Sequence, residues 1–203
     1  MEKFKELPEE KQLLIIEAAL KCFGRHGYKK ASMSDIAQGS GVSKPMLFHY
    51  FGTKKDLYLY LSEYVRNVML DAYKRNEIDA YDDLFERILV ASKMKMGILE
   101  KYPHILKFII SMFEETDRTV ADITKKIMPD AQRFSYDLVV KEEDAEKFKE
   151  GVDIDVIMRL IFLMAEGYAH EMSDEQCDLG KVTEELEKTM HMLKNNLYKE
   201  EYL

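Results

Sequence analysis

Hydroxyls, ammonium groups and one imidazole gather in two dozen residues, SMSDIAQGSGVSKPMLFHYFGTKK, running from Ser32 to Lys55. Wound as a helix at about 100° per residue, the part after Ser43 puts Leu47 and Phe51 within roughly 40° of each other and Pro45 and His49 on the opposite side. One side packs and the other is free to make hydrogen bonds. Lys44, Pro45, Met46 and His49 are therefore candidates to meet base edges or nearby phosphates, provided the helix enters a major groove. Tyr50 falls on the flank, where its hydroxyl would reach a phosphate. Ser32 and Ser43 stand at the starts of the two helices of this stretch. Lys54 and Lys55 stand beside the start of the next helix, where unpaired backbone N–H groups and cations together suit a phosphate.

Other chemistry is tempting but poorly supported. Three Glu-x-x-x-His pairs occur, Glu100/His104, Glu166/His170 and Glu187/His191. Residues four apart share a helix face, yet Pro103 interrupts the first pair and glutamate before histidine at this spacing is ordinary surface pairing. The di-iron bundle motif requires Glu-x-x-His instead. There is no glycine-rich phosphate loop, no Gly-x-Ser-x-Gly elbow and no Cys-His nucleophile pair. The expectation is no catalytic residue, no metal, no cofactor and no enzyme. Cys22 and Cys177 lie far apart in apolar helical patterns without metal-ligand spacing, as suits reduced core thiols in a cytoplasmic protein. No run reaches about 18 residues without charge, so neither a signal peptide nor a membrane span is expected.

The elements that must position the polar stretch are short and well punctuated. Ser32 and Asp35 form a capping-box-like start, Met33, Ile36 and Ala37 have helical spacing, and Gly39-Ser40-Gly41 ends the segment. Ser43 caps the next segment, Pro45 sits where its missing N–H is harmless, and Thr53 with Asp56 repeats the capping pattern. Two short helices across a glycine turn form the helix-turn-helix pattern, although the same spacing also occurs in plain helical hairpins. Before it, a helix opening at Leu7-Pro8 carries Leu13, Ile16, Ala19, Leu20 and Phe23 as a core stripe and ends at Gly24 or Gly27. Tyr28-Lys29-Lys30-Ala31 is the loop between them, and its two lysines add positive charge.

The remainder reads as helices throughout. A long one from Thr53 to about Glu77 carries Leu57, Leu61, Tyr64, Val65, Val68 and Ala72, and its roughly 25 residues span about 37 Å. Asp79–Lys101 follows, then a short apolar helix after Tyr102-Pro103. Asp117 to about Val140 is helical but bent or broken by Pro129. Residues 141–151 are highly charged and read as an exposed loop or turn. Asp153–Met172 and Val182–Tyr198 are the last two helices, and the excess apolar surface there suits a four-helix dimer interface using Ile157, Ile161, Leu186, Met190, Leu193 and Leu197.

The net charge of −8 is unevenly spread: residues 1–56 carry ten Lys and Arg against seven Asp and Glu, and the remaining residues 20 against 31. A weakly positive reader joined to an acidic body implies modest non-specific affinity for DNA and a body that stays off the duplex.

The segment AALKCFGRHGYKKASMSDIAQGSGVSKPMLFHYFGTKKDLYLYL resembles the N-terminal domain of the TetR family of one-component transcriptional repressors almost position for position. The likeness rests on the Phe-Gly and Gly-Tyr entry, the short helix, Gly-Val-Ser and the aromatic-rich second helix. It implies an all-α fold: a three-helix DNA-binding domain over 1–52 and a helical ligand-binding and dimerisation domain over 53–203. It also implies a homodimer on a palindromic operator, released by a small apolar or amphipathic effector; control by a protein partner or a metal is the alternative. The body's methionines and aromatics are either core or cavity lining. The family's pocket makes Tyr64, Val68, Ile88, Met94, Phe108, Met112, Met164 and Tyr168 the candidates. Phe48 departs from the pattern, standing where the family very often has a tyrosine that contacts the DNA backbone.

Overall fold

The computed structural model describes residues 2–74, 78–174 and 176–203. Its α-helices are α1 (Glu2–Lys5), α2 (Glu9–Lys30), α3 (Met33–Ser40), α4 (Lys44–Phe51), α5 (Lys54–Lys74), α6 (Leu84–Lys101), α7 (Pro103–Phe113), α8 (Ala121–Val139), α9 (Ile154–Met172) and α10 (Leu179–Leu197). No strand occurs among the described residues; Phe148 and Tyr198 form one isolated antiparallel bridge. The chain forms two compact units, Met1–Leu70 with Leu99–Met128 and Asp71–Ile98 with Pro129–Leu203. The expected continuation of α5 to Glu77 lies outside the described residues.

In the first unit α2 is the spine. Ile15, Ile16, Ala19, Leu20 and Phe23 are buried, whereas Leu13, expected in the stripe, is 38% exposed. The buried side is broader than a single stripe because α2 packs against both α3 and α7. Gly24 makes the second contact possible: a Cβ there would stand 2.9 Å from the Phe108 backbone nitrogen and 3.0 Å from the Lys107 carbonyl carbon. Helical geometry is interrupted at Gly27, with φ 65° and ψ 173°, a conformation that only glycine adopts cheaply. Gly27 is thus the stop and Gly24 the close-packing point.

A helix of only four residues, α1, was not foreseen. Its Phe4 has no exposed surface and lies 4.7 Å from the Phe51 ring, 5.4 Å from Tyr60 and 6.2 Å from Tyr50, measured between centroids.

The second unit has a core of Ile88, Ala91, Met158, Ile161, Leu186, Met190 and their neighbours from α6, α9 and α10. Beside it Phe85, Phe148 and Tyr198 form an aromatic cluster with centroids 4.8–6.1 Å apart. The charged segment at 141–151 is not simply an exposed loop. Glu142–Lys147 forms a 3-10 turn whose Asp144 is fully buried and accepts from the Arg87 guanidinium and from the Lys141 N–H at 2.8 Å. Arg87, also fully buried, further donates to the carbonyls of Val139 at 2.7 Å and Tyr81 at 2.8 Å. Helix α8 runs through Pro129 unbroken.

The apolar seam of the last two helices also faces elsewhere than expected. Ile161, Leu186 and Met190 are buried in this unit's own core, and Ile157, Leu193 and Leu197 pack against it. Met190 has no exposed surface and is a core residue, not one free to meet a partner. The apolar residues left in solvent are Val156, Leu160 and Leu163 on α9 and Met192 on α10, each more than half exposed. Helix α9 is apolar on both sides, so periodicity alone does not tell which side turns inward.

Candidate nucleic-acid interface

Both short helices start as their caps require. The Ser32 hydroxyl accepts from the Ser34 N–H at 3.1 Å, and the Ser43 hydroxyl from the Met46 N–H at 3.4 Å. Between them Gly41 takes the left-handed conformation, φ 70°, and returns its N–H to Ala37. At the start of α5 the Thr53 and Asp56 capping box is complete: the Thr53 N–H donates to Asp56 at 3.1 Å and the Asp56 N–H to the Thr53 hydroxyl at 3.1 Å.

These caps hold α4 with Leu47, Tyr50 and Phe51 inward and Ser43, Lys44, Pro45, Met46 and His49 outward in solvent. Phe48, 40% exposed, completes the outward side with an apolar ring. Tyr50 departs from its expected place on the flank. It is only 7% exposed because Phe4 of α1 covers it. A four-residue helix gives no periodicity from which this cover could be read.

Lys54 is also engaged. Its ammonium donates to the carbonyls of Tyr28 at 2.8 Å, Ala31 at 3.3 Å and Lys29 at 3.4 Å, and stands 4.4 Å from the Tyr28 ring centroid. The N–H of the same Tyr28 donates to the Glu115 carboxylate at 2.5 Å. Glu115 lies just beyond α7, and its other oxygen accepts from the Thr116 and Asp117 N–H groups at 2.9 and 2.8 Å. An acid and a base thus fix the two polar groups of one peptide residue at the entry to α3. Sequence reasoning placed Lys54 on DNA and missed Glu115, which is 87 positions from its partner. Lys55 is half-buried, and Lys29 and Lys30 are exposed.

The proposed pocket residues do not gather in one place. In the first unit Phe108 is fully buried, its ring 5.4 Å from Tyr58 and 6.3 Å from Phe23, and Met112 receives the Ser62 hydroxyl at 3.4 Å; Tyr64 and Val68 are half-buried. In the second unit Ile88 is buried, while Met94, Met164 and Tyr168 are half-buried against the core. A cleft of about 530 Å³ in this unit is lined by Gln132, Tyr136, Asp155, Met158, Arg159, Phe162 and Leu163, none of them among the expected lining.

Two of the three glutamates from the Glu-x-x-x-His pairs have other partners. Glu187 pairs with Lys93 at 2.7 Å, which holds its carboxyl below the usual range, and Glu166 receives the Gln132 amide at 3.4 Å. Among the described residues no three His, Cys, Asp or Glu side chains group to hold a metal, and no helix is long and apolar enough to cross a membrane.

Residues 15–61 match the family described as bacterial regulatory proteins, tetR family. The transcriptional repressor AcnR of Corynebacterium glutamicum is 36% identical over 55 residues, 27% of this chain and 29% of that protein. The chain thus spans less than a third of that relative, and about a quarter of two others. Likeness of fold extends much further. A TetR family regulator from Chloroflexus aurantiacus J-10-FL superimposes with a TM-score of 0.77 at 17% identity, covering 98% of each chain. The regulator FadR of Bacillus subtilis, in complex with stearoyl-CoA, gives 0.65 at 17% identity over 88% of this chain and 96% of that one.

Proposed function

We propose that the chain, whose residues 15–61 match the tetR family of bacterial regulatory proteins, is a DNA-binding transcription regulator that represses transcription by occupying a palindromic operator as a homodimer. A small apolar or amphipathic effector, bound in the helical body, releases it. Residues 1–52 serve as the DNA-binding domain and 53–203 as the ligand-binding and dimerisation domain. The observation that carries this reading is the outward side of α4, where Lys44, Pro45, Met46 and His49 stand exposed on a helix capped by Ser43 and anchored by Leu47 and Phe51. A short helix held this way has the form of a major-groove reader.

The self-association face in this proposal is the row Val156, Leu160 and Leu163 of α9 with Met192 of α10, because these are large apolar side chains that the unit does not use for itself. Leu160→Glu should turn dimers into monomers in sedimentation and reduce operator affinity at least a hundredfold. An undisturbed dimer would move the interface elsewhere. In selected binding sites, an inverted repeat with half-sites whole turns of about 34 Å apart is expected; sites without dyad symmetry would defeat the dimeric reading.

Control in this proposal passes through α7. That helix lies backbone to backbone on α2 at Gly24, and Glu115 just after it grips Tyr28 at the entry to the reader. Displacing α7 therefore drags the loop that sets α3 and α4. A coupling of about 1–3 kcal/mol would weaken operator binding roughly 5- to 150-fold, and linkage requires operator to weaken effector binding by the same factor. Equal effector affinities for free and operator-bound protein would rule out induction by this route.

A further inference from the structure

The outward side of α4 carries an apolar pair set between its polar groups. At about 100° per residue, Lys44, Phe48, Pro45 and His49 follow one another around that side, with Phe48 roughly 40° from Lys44 and 60° from Pro45. All four are exposed. Pro45 and Phe48 stand three positions apart, the spacing at which side chains on a helix surface are neighbours. Phe48 keeps 40% of its surface in solvent. His49 and Phe51 of the same helix each meet another ring, whereas Phe48 meets none among the described residues. A phenyl ring has no donor for a phosphate oxygen, so what this position offers is apolar area.

One ring and one proline, bordered by Lys44 and His49, make too small a patch to seat a protein or lipid surface. The charge around them has the sign that suits a polyanion, since residues 1–56 carry ten Lys and Arg against seven Asp and Glu. The occupant that fits is therefore a polyanion that itself carries small apolar groups. On the base edges of the DNA major groove that group is the 5-methyl of thymine, which cytosine lacks. We propose that Phe48 is a specificity-determining residue of the reader, packing on a thymine 5-methyl group in each half-site, with Pro45 extending the apolar contact. This rests on the DNA-binding reading above and adds to it the base, and the atom of that base, that the helix recognises.

The test uses the full-length protein and duplexes selected from a randomised library, titrated by fluorescence anisotropy at fixed salt. Each thymine of the best duplex is replaced in turn by deoxyuridine, which removes the methyl group and keeps every hydrogen-bonding atom of the base. One thymine in each half-site should respond, the wild type binding about fourfold more weakly without one methyl and about fifteenfold more weakly without both. Phe48→Ala should bind thymine and deoxyuridine duplexes within about twofold of each other. Phe48→Leu, which keeps an apolar side chain, should retain the preference. Lys44→Ala should weaken both duplexes alike and leave their ratio intact, which separates a phosphate contact from a methyl contact. The deoxyuridine scan of the wild type needs no variant, and the proposal is overturned if no thymine responds in it. It is equally overturned if Phe48→Ala keeps the wild-type ratio. A dyad-symmetric duplex bound tightly but indifferent to deoxyuridine would leave the DNA-binding reading standing and remove this role of Phe48. Failure to select any preferred sequence would remove both.

Discussion

Each of the two compact units is held together by its own means. The first closes through backbone: helix caps, a glycine that lets α2 and α7 touch, and a loop whose N–H and carbonyl are held by Glu115 and Lys54. Both units carry an aromatic cluster, and the second adds a fully buried ion pair between Arg87 and Asp144. Backbone contacts fix geometry closely, as the proposed groove-reading role of the first unit requires. Side-chain cores repack more readily, and that of the second unit leaves apolar side chains of α9 exposed. The contrast is between a unit set by close backbone contact and one set by a buried ion pair.

The sharpest way to break this comparison is at the ion pair. Asp144→Ala strands the Arg87 guanidinium in the second unit's interior and should lower stability by about 3–5 kcal/mol, whereas Arg87→Met with Asp144→Leu should recover most of the loss. Denaturant titration measures both. A loss below about 1 kcal/mol for the single variant would mean that the pair does not hold the 141–147 turn against α6.

The next test makes one substitution in each unit. Gly24→Ala drives a Cβ against the Phe108 backbone and should destabilise by about 1–3 kcal/mol. Gly97 on α6 has open space beside it, with no atom within 4 Å of where a methyl group would stand, so Gly97→Ala should stabilise by about 0.8–1 kcal/mol through helix propensity. Equal signs in the two melting curves would end the claim that backbone proximity distinguishes the first unit.

Two lysines of the reader should separate cleanly. Lys54→Met removes donors to Tyr28 and Ala31 and should reduce stability by about 1 kcal/mol, since the charged hydrogen bonds are partly screened by solvent. Its effect on the salt dependence of operator binding should be small. Lys44→Ala should leave stability nearly unchanged and lower the log–log salt slope by about 0.9, the contribution of one phosphate contact. A slope unchanged by Lys44→Ala would remove it from the reading side.

The smallest expected effect is electrostatic and confined to the first unit. Burial, followed by the charges of Lys21, Arg25 and Lys107, holds the His104 imidazole below its ordinary pKa. The unfolded chain therefore binds more protons than the folded one near and below about pH 6.5, so stability falls as the pH drops through that range. His104→Gln should flatten this part of the stability profile. An unaltered profile would show that His104 is hydrated like a free histidine.

The sequence by itself determined what depends on neighbours within a turn or two. Ser32, Ser43 and the Thr53 and Asp56 box announced helix starts, Gly41 announced the turn, and the alternation around Leu47 and Phe51 announced which side of α4 faces out. Each is an interaction between residues a few positions apart, so spacing alone encodes it. Only the tertiary structure decided which element covers which surface. Tyr50 looks half-exposed until Phe4 lies on it, Lys54 looks free until the carbonyls of Tyr28 and Ala31 come within reach, and Asp144 looks solvated until Arg87 arrives from 57 residues away. The two sides of α9 are almost equally apolar, and α6 and α10 select the one that is buried. Helical periodicity specifies that a face exists, but the partner of that face is a property of the packed chain.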